Sequence, residues 1–215
     1  GAIAGQALTS GCQNTFVGFG AAFQLTSASS TVAVGFQSLY DVTTGSNNTA
    51  SGYRSAFNIT TGTHNVSMGF RSMYCGTTSC QNVALGSMTL CNNTSDHNTA
   101  IGHSGLFSNT TGTCNAALGN FSLRSSTTAN YNVALGSEAM CNTTTGGSNT
   151  GVGFKALMSN TTGACNTAVG YAAGLNATNG LLTAVGYKAL TSATATTYST
   201  AVGLEALCAQ TTGAS

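Results

Sequence analysis

The sequence predicts an all-β fold, a β-solenoid (parallel β-helix or β-roll) of about 13 coils of 17 residues. Three observations predict it. One glycine-centred motif, Asn166-Thr167-Ala168-Val169-Gly170-Tyr171 in its fullest form, recurs at Gly5, Gly18, Gly35, Gly52, Gly69, Gly86, Gly102, Gly119, Gly136, Gly153, Gly170, Gly186 and Gly203, with a first step of 13 and every later step 16 or 17. A short fixed period is how a solenoid is written, each repeat being one coil that buries its apolar side only against its neighbours. Apolar and small residues alternate around each of these glycines, as in a half-buried strand. Finally, only 4% of the 215 residues are charged, and Pro and Trp are absent, whereas an ordinary globular domain carries roughly 25% charge. The unbroken period predicts a single domain over 1–215.

The first element of each coil is a strand. With the repeated Gly as position zero, −1 is aliphatic (Val34, Leu85, Ile101, Val169), +1 is often aromatic (Phe36, Tyr53, Phe70, Tyr171) and +3 is small, usually Ala or Ser. Alternation places −1, +1 and +3 on one face, expected to be the inner one. Six of the nine charged residues (Arg54, Arg71, Glu138, Lys155, Lys188, Glu205) fall at +2. Unpaired charge is almost never buried, so +2 faces solvent.

A corner follows, because apolar residues at +4 such as Leu39, Leu106 and Leu157 break the alternation. The third element is a return loop, Asn-Thr-Thr-Gly in its fullest form at Asn109 and Asn160, built of turn-forming residues. Stacked at the strand spacing of about 4.8 Å, 13 such coils predict a rod on the order of 60 Å long. Like residues then lie above one another. Position −4 becomes an asparagine ladder of Asn14, Asn48, Asn65, Asn82, Asn98, Asn115, Asn132, Asn149 and Asn166, and +1 a stack of rings.

The motif N-[TV]-A-[VIL]-G-[YF]-x-[AS]-L resembles the head repeats of trimeric autotransporter adhesins and similar repeats of viral tail fibres, and the resemblance covers nearly the whole chain. It implies a β-roll, surface adhesion and often a trimer. A coil of 17 residues is long enough to close on itself, so a single-chain solenoid is the expected form.

The loops carry the functional signals. The sequon N-x-[ST], the acceptor of N-linked glycans, occurs ten times, among them at Asn47 and, in one column at +6 or +7, at Asn58, Asn92, Asn109, Asn142, Asn160 and Asn176. These seven are the expected glycosylation sites; the sequon at Asn65 belongs to the ladder and is expected to be bare. A glycan sheath would keep a chain so poor in charge in solution. The eight cysteines lack the paired spacing of a zinc site and are read as disulfides of an oxidising compartment. The spacing of adjacent coils suggests Cys91–Cys114 and Cys141–Cys165, and one loop holds Cys75 and Cys80. Cys12 and Cys208 remain. A second copy set after Ser215 would continue the period, which suggests head-to-tail stacking with Cys208 bonded to Cys12 of the next subunit; a fragment of a longer array, or two free thiols, are the alternatives.

Other functions are disfavoured. A net charge of +1 provides no patch for nucleic acid or an anionic membrane, and no apolar run reaches the roughly 20 residues of a membrane span. The chain opens without a charged n-region, and the expectation is either that an export signal has been removed or that the sequence begins inside a longer precursor. His64, His97, His103 and the four carboxylates are dispersed, so no catalytic or metal site is expected, and no cofactor beyond covalent N-glycans. The chain is expected to be a structural subunit of an extracellular fibre made by a eukaryotic-type secretory route, its main partner itself, with a glycan or cell-surface receptor as a further contact. The alternative is the receptor-binding module of a trimeric viral or bacterial fibre.

Overall fold

A computed structural model describes residues 1–178 and 180–214. The chain is all-β and forms a β-solenoid, divided into two compact units, 1–111 and 112–215. In the first, β1 (Thr15–Val17), β2 (Val32–Val34), β3 (Thr49–Ser51), β4 (Val66–Met68), β5 (Val83–Leu85) and β6 (Thr99–Ile101) pair in succession. All are parallel and in register; Ala33 faces Ala50, and Ala50 faces Ser67. In the second, β7 (Ala116–Leu118), β8 (Val133–Leu135), β9 (Thr150–Val152), β10 (Thr167–Val169), β11 (Thr183–Val185) and β13 (Thr200–Val202) do the same. A separate parallel pair joins β12 (Ala195–Thr197) to β14 (Thr212–Ala214). Twelve coils thus carry a ladder strand; the stretch before Gly5 forms turns instead, so the count is one below the thirteen expected.

Each ladder strand spans positions −3 to −1 only. It stops because the repeated glycine has φ between +124° and +139° in every coil from Gly18 to Gly203, a region open to glycine alone. There is no room for a side chain either: a Cβ on Gly52 would lie 2.5 Å from the carbonyl oxygen of Gly69, one rung on. Two further corners are made by residues in the left-handed αL region, at +2, +4 and −5. Arg54, Ala56 and His64 have φ of 51°, 52° and 59°, and Leu39, Leu106 and Leu157 of 50°, 50° and 53°. The αL conformation costs a side-chain-bearing residue roughly 1–2 kcal/mol. Full burial of a Leu contributes about 1.5–3 kcal/mol, and Leu39, Leu106 and Leu157 are wholly buried, so packing at +4 outweighs the strain.

These corners invert the expected faces. Position −2 points in: Ala33, Ala50, Ala84, Ala117 and Ala168 are fully buried, as are +3 (Ser38, Ala156) and the +4 leucines. Positions −1 and +1 point out: Val17, Phe19, Tyr53, Phe70, Leu135 and Tyr171 are exposed. The expected inner set of −1, +1 and +3 is therefore corrected to −2, +3, +4 and +7. Alternation cannot be counted through the glycine, and an error of one residue moves every strand side chain to the other side. Beyond the first rung, where Phe16 places a half-buried ring at −2, the interior is narrow. Ser67 Oγ at −2 lies 2.6 Å from Ser72 Oγ at +3, and a Cβ on Gly151 would come within 2.9 Å of Met140.

Polar columns close the coil. The −4 asparagines from Asn48 on are buried, and along the ladder Oδ1 accepts the backbone N–H of the next residue in the column: Asn65 from Asn82 at 3.0 Å, Asn132 from Asn149 at 2.9 Å, Asn149 from Asn166 at 2.9 Å. Most of their Nδ2 groups donate to loop carbonyls, as Asn65 does to Ser79 at 2.7 Å, whereas that of Asn166 is buried with no partner. At +8 a threonine column donates Oγ1 to the carbonyl one rung on, Thr43 to Thr60 at 3.2 Å and Thr144 to Thr161 at 3.0 Å. Backbone polar groups that a strand would pair with another strand are here satisfied by side chains.

Candidate functional site

The return loop separates the sequons by a single residue. Position +6 faces out and +7 faces in. Asn58, Asn92 and Asn176 at +6 are half-buried and Asn142 is exposed. The amides of Asn58, Asn92 and Asn142 donate no hydrogen bond among the described residues, and Asn176 only accepts one, from Ser159 at 3.4 Å. At +7, Asn109 and Asn160 are wholly buried. Asn160 Nδ2 donates to the Gly163 carbonyl at 3.0 Å and its Oδ1 accepts the Gly163 N–H at 3.0 Å. Asn109 Nδ2 donates to Asn93 Oδ1 at 2.6 Å.

An N-linked glycan replaces a hydrogen on Nδ2 and needs that atom in solvent, so Asn109 and Asn160 are withdrawn as glycan sites. The remaining sequons are Asn47, exposed at the αL corner beside His64 Nε2 at 3.3 Å, and the four at +6. The amide of Asn65 is buried in the ladder, where it also donates to Asn48 Oδ1 at 3.1 Å.

All eight cysteines are free thiols, so none of the intrachain pairings expected from spacing is formed. The cysteines lie at +5 or +6 and at −5 or −6. The Cys75 N–H donates to the Cys91 carbonyl at 2.8 Å, whereas Cys80 Sγ accepts the Thr63 N–H at 3.4 Å and the Cys80 N–H donates to Asp96 Oδ1 at 2.7 Å. Likewise the Cys141 carbonyl accepts from Ser125, and the Cys165 N–H donates to Gly147. Cys91 belongs to the first unit and Cys114 to the second. Burial pushes the thiols of Cys75, Cys91 and Cys141 above their ordinary range; at Cys91 the neighbouring Cys75 adds to this and Arg71 opposes it. Cys12 is exposed and Cys208 half-buried.

The outward ring columns are the other surface feature. In the first unit Phe19, Phe36, Tyr53 and Phe70 stack at +1 with centroids 5.4–5.5 Å apart. A second column at +5, Phe23, Tyr40, Phe57 and Tyr74, stacks at 4.9–5.4 Å. Between the columns stand the +2 residues, and Arg54 and Arg71 each place a guanidinium over one ring of either column. Sequence reasoning missed the +5 column and the shared cations, although the step of 17 from Phe23 to Tyr74 was there to read. In the second unit Phe154, Tyr171 and Tyr187 stack at +1, with Lys155 and Lys188 over their rings.

Among the described residues no three His, Cys, Asp or Glu side chains gather as a metal site would need, and no helix is long and apolar enough to cross a membrane. Comparison with known proteins returned no match to any family model, any curated protein or any solved structure.

Proposed function

We propose that this protein is the structural subunit of an extracellular, glycan-coated fibre assembled by head-to-tail stacking of coils. One observation carries the reading. Successive rungs offer the same backbone, asparagine and threonine hydrogen bonds above and below (Asn132 from Asn149, Asn149 from Asn166; Thr43 to Thr60, Thr144 to Thr161). A rung of another copy can therefore be received on the terms of an internal one, and a contact that repeats without closing makes a fibre. The glycan coat rests on the outward +6 sequons, and the covalent link on Cys208 and Cys12 of the next subunit. The four carboxylates are dispersed along the sequence and no metal-ligating cluster gathers among the described residues, so a binding or structural role is the reading preferred over catalysis.

Non-reducing peptide mass spectrometry of the native material tests this. The expected result is a peptide joining Cys208 to Cys12 and hexosamine-containing mass on the peptides of Asn58, Asn92, Asn142 and Asn176, but not on those of Asn109 and Asn160. Free Cys12 and Cys208 together with bare +6 asparagines would overturn it. The second reading, an adhesive module of a trimeric surface fibre, is favoured by the outward apolar columns at −1 and +1, which include Val17, Phe19, Met68 and Phe70; exposed apolar patches of this kind mark contact surfaces. Light scattering that gives three chains per particle would select it.

A further inference from the structure

We propose that Arg54 and Arg71 form a binding site for an acidic polysaccharide, whose carboxylate or sulfate groups the two guanidiniums accept on consecutive rungs. Both arginines lie in one column, so they are about 4.8 Å apart along the stack. Neither has a carboxylate within ion-pair distance; among the described residues the ion pair formed is Lys155 with Glu138 at 3.6 Å. Two like charges on adjacent rungs repel each other, and a bound anion relieves that repulsion.

The arginines are held ready. The Arg54 guanidinium sits 5.4 Å from the Tyr53 ring and 5.2 Å from that of Phe57; Arg71 sits 5.4 Å from Phe70 and 5.3 Å from Tyr74. Arg54 Nε donates to Gln37 Oε1 at 2.8 Å, while Arg71 Nε is buried with no acceptor. Their backbone N–H groups donate to Phe36 and Tyr53 carbonyls at 2.9 and 3.0 Å. Rotamer entropy that a surface arginine loses on binding is thus already lost in the free protein. The fork of terminal N–H donors, which matches the planar oxyanion of a carboxylate or a face of a sulfate, forms no hydrogen bond to another described residue.

The surroundings select a sugar polymer over a small anion. The described surface is open and encloses no cavity, so a small anion would be held on one side only. A chain laid along the rungs meets both cations, and its C–H groups meet the exposed edges of Tyr53 and Phe70, 41% and 44% accessible. The column itself supplies a harmless substitution, since Gln37 already occupies +2 with φ of 51°.

Calorimetric titration of the full chain with alginate, dextran sulfate and uncharged dextran tests the site. Binding of alginate, dextran sulfate or both, but not dextran, is expected, and whichever binds names the anion as carboxylate or sulfate. Arg54→Gln with Arg71→Gln should weaken it by about tenfold or more with an unchanged melting temperature. Lys155→Gln with Lys188→Gln should leave it unaltered. No binding of either acidic polymer, equal binding of dextran, or an equal loss in the lysine variant would each overturn the proposal.

Discussion

The two units are built on the same coil, yet they spend their inward and outward positions differently. At +7 the first unit begins with Leu25, Val42 and Ile59, all fully buried. The second begins with Ser126, Thr143 and Asn160, equally buried, and the hydroxyls of Ser126 and Thr143 have no hydrogen-bond partner. Outside, the first unit carries two ring columns bridged by unpaired arginines, and the second a +1 column with a lysine tied to Glu138. Both units share the glycine in every ladder coil, an asparagine at −4 in most coils and a mostly apolar +4 residue, with Thr31, Leu182 and Ser199 at −4 and Gly174 at +4 as the departures. The differing features sit where a rung tolerates any side chain of suitable size. Stability thus belongs to the repeat, and individuality to the +1, +2, +5 and +7 columns.

The largest expected effect tests the shared part. Gly52→Val or Gly153→Val should each cost more than about 4 kcal/mol, since each places a side chain at positive φ against the backbone of the next rung. Hydrogen exchange should show lost protection in the rungs around the altered glycine, and equal loss over all 215 residues would contradict nearest-neighbour stability. Next, Leu39→Ala in the first unit and Leu157→Ala in the second should each cost about 2–5 kcal/mol, measured by urea denaturation. A clearly smaller cost for either would break the equivalence of the +4 column.

The +7 contrast gives opposite signs. Thr143→Val removes an unpaired buried hydroxyl at nearly constant volume and should stabilise by about 1 kcal/mol, whereas Ile59→Thr introduces one and should cost about 2 kcal/mol. Two melting curves check both, and like signs would show that the +7 hydroxyls find partners in solution. The smallest effect concerns pH. Cys75, Cys91 and Cys141 are acids whose folded pKa lies above the unfolded value, so the native state binds more protons between the two. Their contribution to stability is full below about pH 8.5 and is lost as pH rises through the folded values. Iodoacetamide should label exposed Cys114 and Cys165 ahead of buried Cys91 at neutral pH. Labelling of Cys91 at the rate of Cys114 would show that its burial is not maintained.

Much of this was legible in the sequence, and particular residues show where legibility stopped. The step of 17 between Asn132, Asn149 and Asn166 predicts stacked amides, because in-register rungs leave like side chains nowhere else to go. The failure at −1 and +1 has a specific origin. Alternation fixes which residues share a face but not which face is inner: Phe36 and Tyr53 cover one another on the outside, while Ala33 and Ala50 fill the inside of the coil. Asn58 and Asn160 look alike as sequons and differ by one position in the coil; that single step separates an amide in solvent from one bound to Gly163.

What the sequence alone determined is therefore everything that depends on period: the solenoid, the contents of each column and the in-register stacking. Which way each column points was decided only by the tertiary structure. Facing depends on how many residues each corner consumes. The corners here are a glycine near φ +130° and ordinary residues such as Arg54, Leu106 and His64 in αL, conformations that the identities of those side chains do not announce and that only the packing of one rung on the next makes stable.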